Sequence, residues 1–512
     1  MANKIRELTS WLRKNWRLAG AIFFIVGLAL FLRLWRIGSY MTFLGDEGRD
    51  ALVWLRMSRG KFTLIGPQTS IGNMYLAPLF YYLMLPFYLL LGTAGPSIGT
   101  ALLGGATAFL LWFVSKEWFS QKVGLLAALL YALSPVAIVL SRSAWNPNIM
   151  PFFALLSIWG VWQFWQRNQF WGMVVVGLGC SVAIQSHYLG LLLLPVAGLF
   201  WLVKLRDLLR TKNRQTRSFL IWTGLGIMTF FVLSILPLIW FDLRHNFINY
   251  KAFYRFFTDR QATVSLKPYK AIPQLWPLWQ MMVTCLLTSR DAVFGSWLSP
   301  LLLIFSTITF FLVVGDKRKR KEGRGLFLLL SWILIGLWGM GLYKQHIYGH
   351  YFGFLFPAIF LLMAVSLGKA WEVGKAGKIL AVAGLAAIFY FAFEACPLRG
   401  SPNFQMQHTA MVSQKIVEEA EGKPFNLGLI AKQNYDAGYR YFLEKAGYKP
   451  AMIDAQRSEE TITNQLFVVC EESVCEPTTH PQAEIASFGW SKIEEEWTFP
   501  WGVKLFKLMH NK

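Results

Sequence analysis

Eleven apolar stretches, each about as long as a bilayer is thick, constrain this chain more than anything else in it. They lie near 18–36, 97–115, 121–141, 149–166, 170–186, 188–204, 218–241, 297–315, 325–343, 351–369 and 377–394. An α-helix rises 1.5 Å per residue, so about 20 apolar residues cross roughly 30 Å of hydrocarbon. Lipid offers the backbone no hydrogen bonds, so such runs fold as helices that satisfy themselves. Composition agrees. Of 512 residues, 55% are hydrophobic and 15% charged, against roughly 25% charged in soluble domains. Two further stretches, 75–92 and 273–288, are less regular. Pro78 and Pro86 interrupt the first, which suits a piece lying in or dipping into the interface.

The net charge of +22 invites a nucleic-acid reading, but the placement of the charge argues against one. Lys and Arg gather in short loops between apolar runs, the pattern that keeps loops cytoplasmic. Lys4, Arg6, Arg13, Lys14 and Arg17 hold the N-terminus inside. Lys204, Arg206, Arg210, Lys212, Arg214 and Arg217 mark a second inner loop. Lys317, Arg318, Lys319, Arg320, Lys321 and Arg324 mark a third, and Lys369, Lys375 and Lys378 another. Parity then makes 75–92 an incomplete crossing. It leaves external loops at about 37–96 and 242–296 and an external tail. No small-residue cleavage site follows the first apolar run, so it reads as a retained helix.

The expected fold is therefore an all-α polytopic membrane domain of about eleven transmembrane helices plus interfacial helices, residues 1–394, with an extracytoplasmic α/β domain at 395–512. In that tail, helices are expected near 408–421 and 434–446, and strands at 425–431, 465–470 and 502–508. Cys470 and Cys475 lie close together there. A disulfide and two free thiols are both open readings.

Charge is out of place in one short segment, Phe43-Leu44-Gly45-Asp46-Glu47-Gly48-Arg49-Asp50. Ionisable groups beside lipid are costly and commonly functional. On a helix, Asp46 and Asp50 share a face. Carboxylates of this kind serve as a general base or hold a divalent metal, and the sequence leaves both open. Arg49, Arg56, Arg59 and Lys61 follow, in a loop where positive charge opposes the topology, and suit a phosphate at headgroup level. Other polar groups gather at the outer ends of helices: Arg142, His187, Tyr188, Asp242, Arg244, His245, Lys344, His346, His350 and Tyr351. His346 and His350, four apart, would suit zinc on a helix, with no third ligand evident.

These residues resemble the GT-C superfamily of membrane glycosyltransferases, in the branch of protein O-mannosyltransferases and aminoarabinose transferases (glycosyltransferase family 39 type). The resemblance rests on Leu32-Arg33-Leu34-Trp35-Arg36 followed by Phe43-Leu44-Gly45-Asp46-Glu47. It extends through Met57-Ser58-Arg59-Gly60, Tyr75-Leu76-Ala77-Pro78-Leu79-Phe80-Tyr81-Tyr82, Ala127 to Pro135 and Ser141-Arg142. It covers roughly residues 20–200, and the later helices match only in pattern.

The resemblance implies a sugar carried on a polyprenyl phosphate and transferred with inversion to an acceptor glycan, lipid or protein at the outer leaflet. Asp46 would be the catalytic base, with Glu47 beside it. Asp50, His187, Tyr188, His245, His346, His350 and Tyr351 would line the site. Relatives carry basic residues where this chain has Leu76-Ala77-Pro78 and Ser97-Ile98-Gly99-Thr100. Arg49, Arg142, Arg244 and Lys344 then stand as the donor-phosphate ligands. A flippase would place ionisable groups at mid-membrane in paired broken helices. A non-catalytic assembly protein would tolerate change at Asp46, Glu47 and Asp50.

Overall fold

The computed structural model describes residues 10, 13–69, 74–212, 214–258, 263–454 and 456–511. Lys4 and Arg6 lie outside the described residues. A helix occupies each of the eleven expected positions, from Trp16–Leu34 to Lys375–Glu394. Eight helical stretches among the described residues are long and apolar enough to cross a membrane, or nine if the bent pair Gln121–Leu133 and Pro135–Ser141 is one span. The protein is a multi-pass membrane protein. Helices Met150–Gln166 and Gly172–Ser186, at 17 and 15 residues, are shorter than the roughly 20 residues of a full crossing. Pro86 does not break the 75–92 stretch as expected. It lies inside helix Leu79–Leu91, and helicity continues through a 3-10 turn at Gly92–Ala94 into Gly95–Trp118. Pro277 likewise sits within helix Ile272–Leu287.

The chain forms two compact units that do not divide it at a single point. One contains residues up to Trp35, Thr63–Pro86 and Pro96–Ser401; the other contains Arg36–Phe62, Phe87–Gly95 and Pro402–Lys512.

In the first unit, helix Phe356–Glu372 is buried over most of its length. Trp118, Trp162, Phe164, Phe200 and Trp332 belong to the same apolar core. At two prolines of this unit a side chain takes up the carbonyl that the missing N–H leaves free. Pro135 has no N–H for the Tyr131 carbonyl, and the helix pair bends by 65° there. Arg33, fully buried on helix Trp16–Leu34, donates to the carbonyls of Tyr131 (3.2 Å) and Ala132 (3.1 Å) and to Ser141 Oγ (3.0 Å). Pro237 likewise frees the Leu233 carbonyl after the π-turn Phe231–Ile235. Gln185 Nε2 donates to that carbonyl at 3.0 Å, while its Oε1 accepts from Leu79 N–H at 2.9 Å.

The second unit holds a four-stranded sheet in the order β1 (Asn426–Ile430), β2 (Gln465–Cys470), β4 (Lys504–His510), β3 (Ser491–Thr498). β1 and β2 are parallel, β2 and β4 antiparallel, and β3–β4 is a hairpin with a register shift between Ile493 and Glu495. Helix Ala437–Lys445 lies in the β1–β2 crossover. β2 is buried on both faces, so it reads as a continuous apolar run. Phe467 and Val469 join a core with Val412, Ile416 and Leu443, while Leu466, Val468 and Cys470 join one with Ile485 and Phe488. Cys470 and Cys475 form a disulfide. β3 is mostly exposed and acidic, and the sequence reading did not anticipate it.

Candidate functional site

The charged segment of the first loop forms the N-terminus of helix Gly45–Ser58, in the second unit. Glu47 turns back to its own helix start. Its carboxylate accepts the Leu44 N–H at 3.2 Å and the Thr42 hydroxyl. This is the reciprocal arm of a capping box, satisfying a donor the helix end would otherwise leave unpaired. Glu47 is 7% exposed. Burial pushes its carboxyl up to about 7, the Thr42 bond opposes the shift, and the neighbouring Asp46 and Asp50 carboxylates add to it. Expected as a partner of Asp46 in catalysis, Glu47 instead caps the helix that carries Asp46.

Asp46 points elsewhere, since successive helical residues do not face each other. Its Oδ1 accepts from Arg49 Nη1 at 2.8 Å and from the Tyr435 hydroxyl at 2.6 Å. Arg49 also reaches Asp50 Oδ1 through Nε at 2.9 Å. Asp50 is fully buried, whereas the Asp46 side chain is 38% exposed. Arg49 therefore ties a buried carboxylate to an accessible one. Tyr435 comes from the segment before helix Ala437–Lys445. Burial raises its phenol, Arg49 opposes the shift, and the bond to Asp46 adds to it, so the hydroxyl stays a donor. Arg56 and Arg59, expected to suit a phosphate, engage Glu444 instead: Arg56 Nη2 meets its carboxylate at 2.7 Å and Arg59 its carbonyl at 3.2 Å.

The expected residues from Arg142 onward lie in the first unit. His187 stacks on Tyr351 with centroids 4.0 Å apart, and His350 meets Trp145 at 4.2 Å and Tyr351 at 4.6 Å. His346 packs edge-on to Tyr348 at 4.5 Å. Three separate segments thus converge into one aromatic and histidine cluster. His346 and His350 stand in a loop rather than on a helix, so the helical spacing that would suit zinc does not arise. Among the described residues, no group of three or more His, Cys, Asp and Glu is placed to hold a metal ion. The Tyr188 hydroxyl donates to the Tyr75 carbonyl at 3.1 Å.

Lys344 and His346 line a cavity of about 760 Å3 with Lys267, Lys270, Pro277, Leu278, Met281, Met340 and Ile347. Its lining combines three lysines with apolar side chains. Lys267 and Lys270 were not singled out in the sequence. Their signal was positive charge in a loop expected outside.

Arg142 departs from expectation. It is 2% exposed and donates to the Leu32 and Trp35 carbonyls, both at 2.7 Å, which caps the C-terminus of helix Trp16–Leu34. Arg244 lies over the Trp240 ring at 5.0 Å. His245 stacks on Phe241 and bonds its carbonyl at 2.8 Å.

Residues 76–240 match the family model described as dolichyl-phosphate-mannose-protein mannosyltransferase. No curated protein sequence matches the chain. Among solved structures, ArnT from Cupriavidus metallidurans in the apo state is 14% identical with a TM-score of 0.60, covering 96% of this chain and 98% of that one. ArnT bound to undecaprenyl phosphate gives 14% identity and a TM-score of 0.58, covering 95% and 98%. The chain has the fold of ArnT. AglB from Archaeoglobus fulgidus, in complex with an inhibitory peptide and a dolichol-phosphate, shares this fold at 13% identity and a TM-score of 0.52, covering 90% of this chain and 70% of that one. The resemblance drawn from the residues around Arg33 and Asp46 thus agrees with a family-model match over 76–240 and a likeness in fold to ArnT over nearly the whole chain.

Proposed function

We propose that this protein is an inverting glycosyltransferase that moves a sugar from a polyprenyl-phosphate donor to an envelope acceptor at the outer face of the membrane. The observation that carries the reading is the setting of Asp46. It is an accessible carboxylate whose Oδ1 is fixed by Arg49 and Tyr435, in a fold whose solved members include one bound to undecaprenyl phosphate and one to a dolichol-phosphate.

In this reaction the acceptor hydroxyl or amine attacks the sugar's anomeric carbon. The bond from that carbon to the phosphate oxygen breaks, and configuration inverts. Asp46 takes the proton that the acceptor loses. The departing polyprenyl phosphate is already a good leaving group, so it needs positive charge rather than a proton. Within the first unit, Lys267, Lys270 and Lys344 line a cavity with apolar side chains that suit a prenyl chain, which makes them candidate ligands for a polyprenyl phosphate. The aromatic and histidine cluster of Trp145, His187, His350 and Tyr351 is the candidate lining for a sugar. The topology that fits this reading has a cytoplasmic N-terminus, eleven crossings and an extracytoplasmic C-terminal region.

Mass spectrometry of envelope glycans after deletion of the gene tests the proposal. A sugar should vanish from one acceptor class, return with the wild-type chain, and fail to return with Asp46→Asn at equal protein level. Full restoration by Asp46→Asn would remove Asp46 from the mechanism.

A further inference from the structure

We propose that Tyr435 is a positioning residue for Asp46, so that the C-terminal α/β region completes the catalytic carboxylate rather than serving only to bind an acceptor. The inference rests on the reading of Asp46 as the base. Tyr435 and Asp46 are 389 positions apart in sequence, yet the phenol donates to Asp46 Oδ1 at 2.6 Å within one compact unit.

Three observations hold Tyr435 in place. Its ring lies on Gly45, where a Cβ would stand 2.2 Å from Cδ1 of the ring. Its backbone N–H donates to Asn434 Oδ1 at 2.9 Å. Asn434 Nδ2 in turn donates to Glu471 Oε1 at 2.9 Å, and the same oxygen accepts the buried Tyr439 hydroxyl at 2.6 Å. Glu471 adjoins Cys470, whose disulfide to Cys475 closes a short loop around it. The tyrosine is thus held on one side by the helix it serves and on the other by the end of β2.

Arg49 alone would fix Asp46 poorly. It is an i,i+3 partner on the same helix turn, and solvent weakens such pairs where they are part-exposed. It also divides its donors between Asp46 and Asp50. A second donor from a different element removes the remaining freedom. With both donors on Oδ1, the carboxylate presents Oδ2 to the acceptor. A base held in the productive geometry is worth orders of magnitude in rate, and small misplacements are costly.

Tyr435→Phe removes the hydroxyl and keeps the ring on Gly45. Two quantities are measured. One is the initial rate at which the missing glycoform reappears in deletion cells after induced expression, per amount of protein. The other is binding of undecaprenyl phosphate to the purified full chain. The rate should fall about tenfold with binding unchanged within twofold. A rate within twofold of wild type, or above it, overturns the inference. So does a rate that falls together with binding, because that reports damaged structure. Asp46→Asn is run alongside. If it keeps the wild-type rate, the reading of Asp46 as base fails. If it is inactive while Tyr435→Phe is normal, only the role of Tyr435 fails.

Discussion

Gly48 and Gly438 meet backbone to backbone. A Cβ on Gly48 would lie 2.2 Å from the Gly438 nitrogen and 2.4 Å from its Cα. Helix Gly45–Ser58 and helix Ala437–Lys445 approach this closely only because Gly48 carries no side chain; a Cβ on Gly438 would meet nothing nearer than Thr409 Cγ2 at 3.4 Å. The atoms in the way are backbone, which cannot swing aside. Gly48→Ala should therefore cost at least the about 1–3 kcal/mol typical of overpacking. It should also separate Asp46 from Tyr435. Thermal unfolding in detergent should show a Tm several degrees lower, and glycan transfer should fall with it. An unchanged Tm would show that the two helices separate without cost.

The buried cap makes the second unit sensitive to pH. Burial pushes the Glu47 carboxyl from its ordinary 4.5 up to about 7 in the fold. The folded state then holds the proton more tightly than the unfolded state. The resulting stability is fully present below 4.5 and is lost as pH rises through about 7. At about 1.36 kcal/mol per unit, its full size is about 3 kcal/mol. Glu47→Gln keeps a neutral side chain of the same shape and has no proton to lose. Plotted from pH 4.5 to 8, the Tm of wild type should drop relative to that of the variant. Parallel curves would refute the role of burial at Glu47.

The membrane helices were legible because bilayer thickness leaves so few lengths and compositions available. Asp46 stood out for the opposite reason, as a charge where lipid is near. What escaped depends on contacts distant in sequence. Tyr435 is one of 18 tyrosines, and nothing local marks it as the partner of a residue 389 positions away. Arg142 stood among the phosphate ligands because the relatives' basic residues are missing at 76–78 and 97–100, whereas its Nη atoms donate to carbonyls at the end of helix Trp16–Leu34. Strand Ser491–Thr498 was missed because Glu494, Glu495 and Glu496 hide its period on a largely exposed edge. The pairing of Cys470 with Cys475 needed the fold to decide between two open readings.

Arg33 should matter to folding more than any exposed arginine of the chain. It is fully buried and supplies four hydrogen bonds, to Ala29, Tyr131, Ala132 and Ser141. Two of these serve carbonyls at the break before Pro135. Arg33→Met keeps much of the volume and removes every donor. Each buried acceptor left unpaired costs about 1–3 kcal/mol, so a loss of about 3 kcal/mol or more is expected. The check is the yield of monodisperse protein on size exclusion and its Tm. Arg244→Met is the contrast, because Arg244 is exposed and lies over Trp240. It should stay within about 0.5 kcal/mol of wild type. Equal behaviour of the two variants would contradict the role given to Arg33.

The cavity beside Lys344 yields a prediction about salt. Lys267, Lys270 and Lys344 are exposed on its wall, and Pro277, Leu278, Met281, Met340 and Ile347 supply its apolar part. Exposed charges attract a phosphate through solvent, so their pull is screened beyond about 8 Å at 0.15 M ionic strength. The apolar contacts with a prenyl chain are not weakened in that way. Undecaprenyl phosphate should bind the wild-type chain more weakly as salt rises from low to high. The triple variant Lys267→Ala, Lys270→Ala, Lys344→Ala should bind about 10–100-fold more weakly at low salt, on the order of 0.5–1 kcal/mol per charge. Its affinity should barely respond to added salt. A variant that keeps the wild-type affinity and salt response would place the phosphate site elsewhere in the chain.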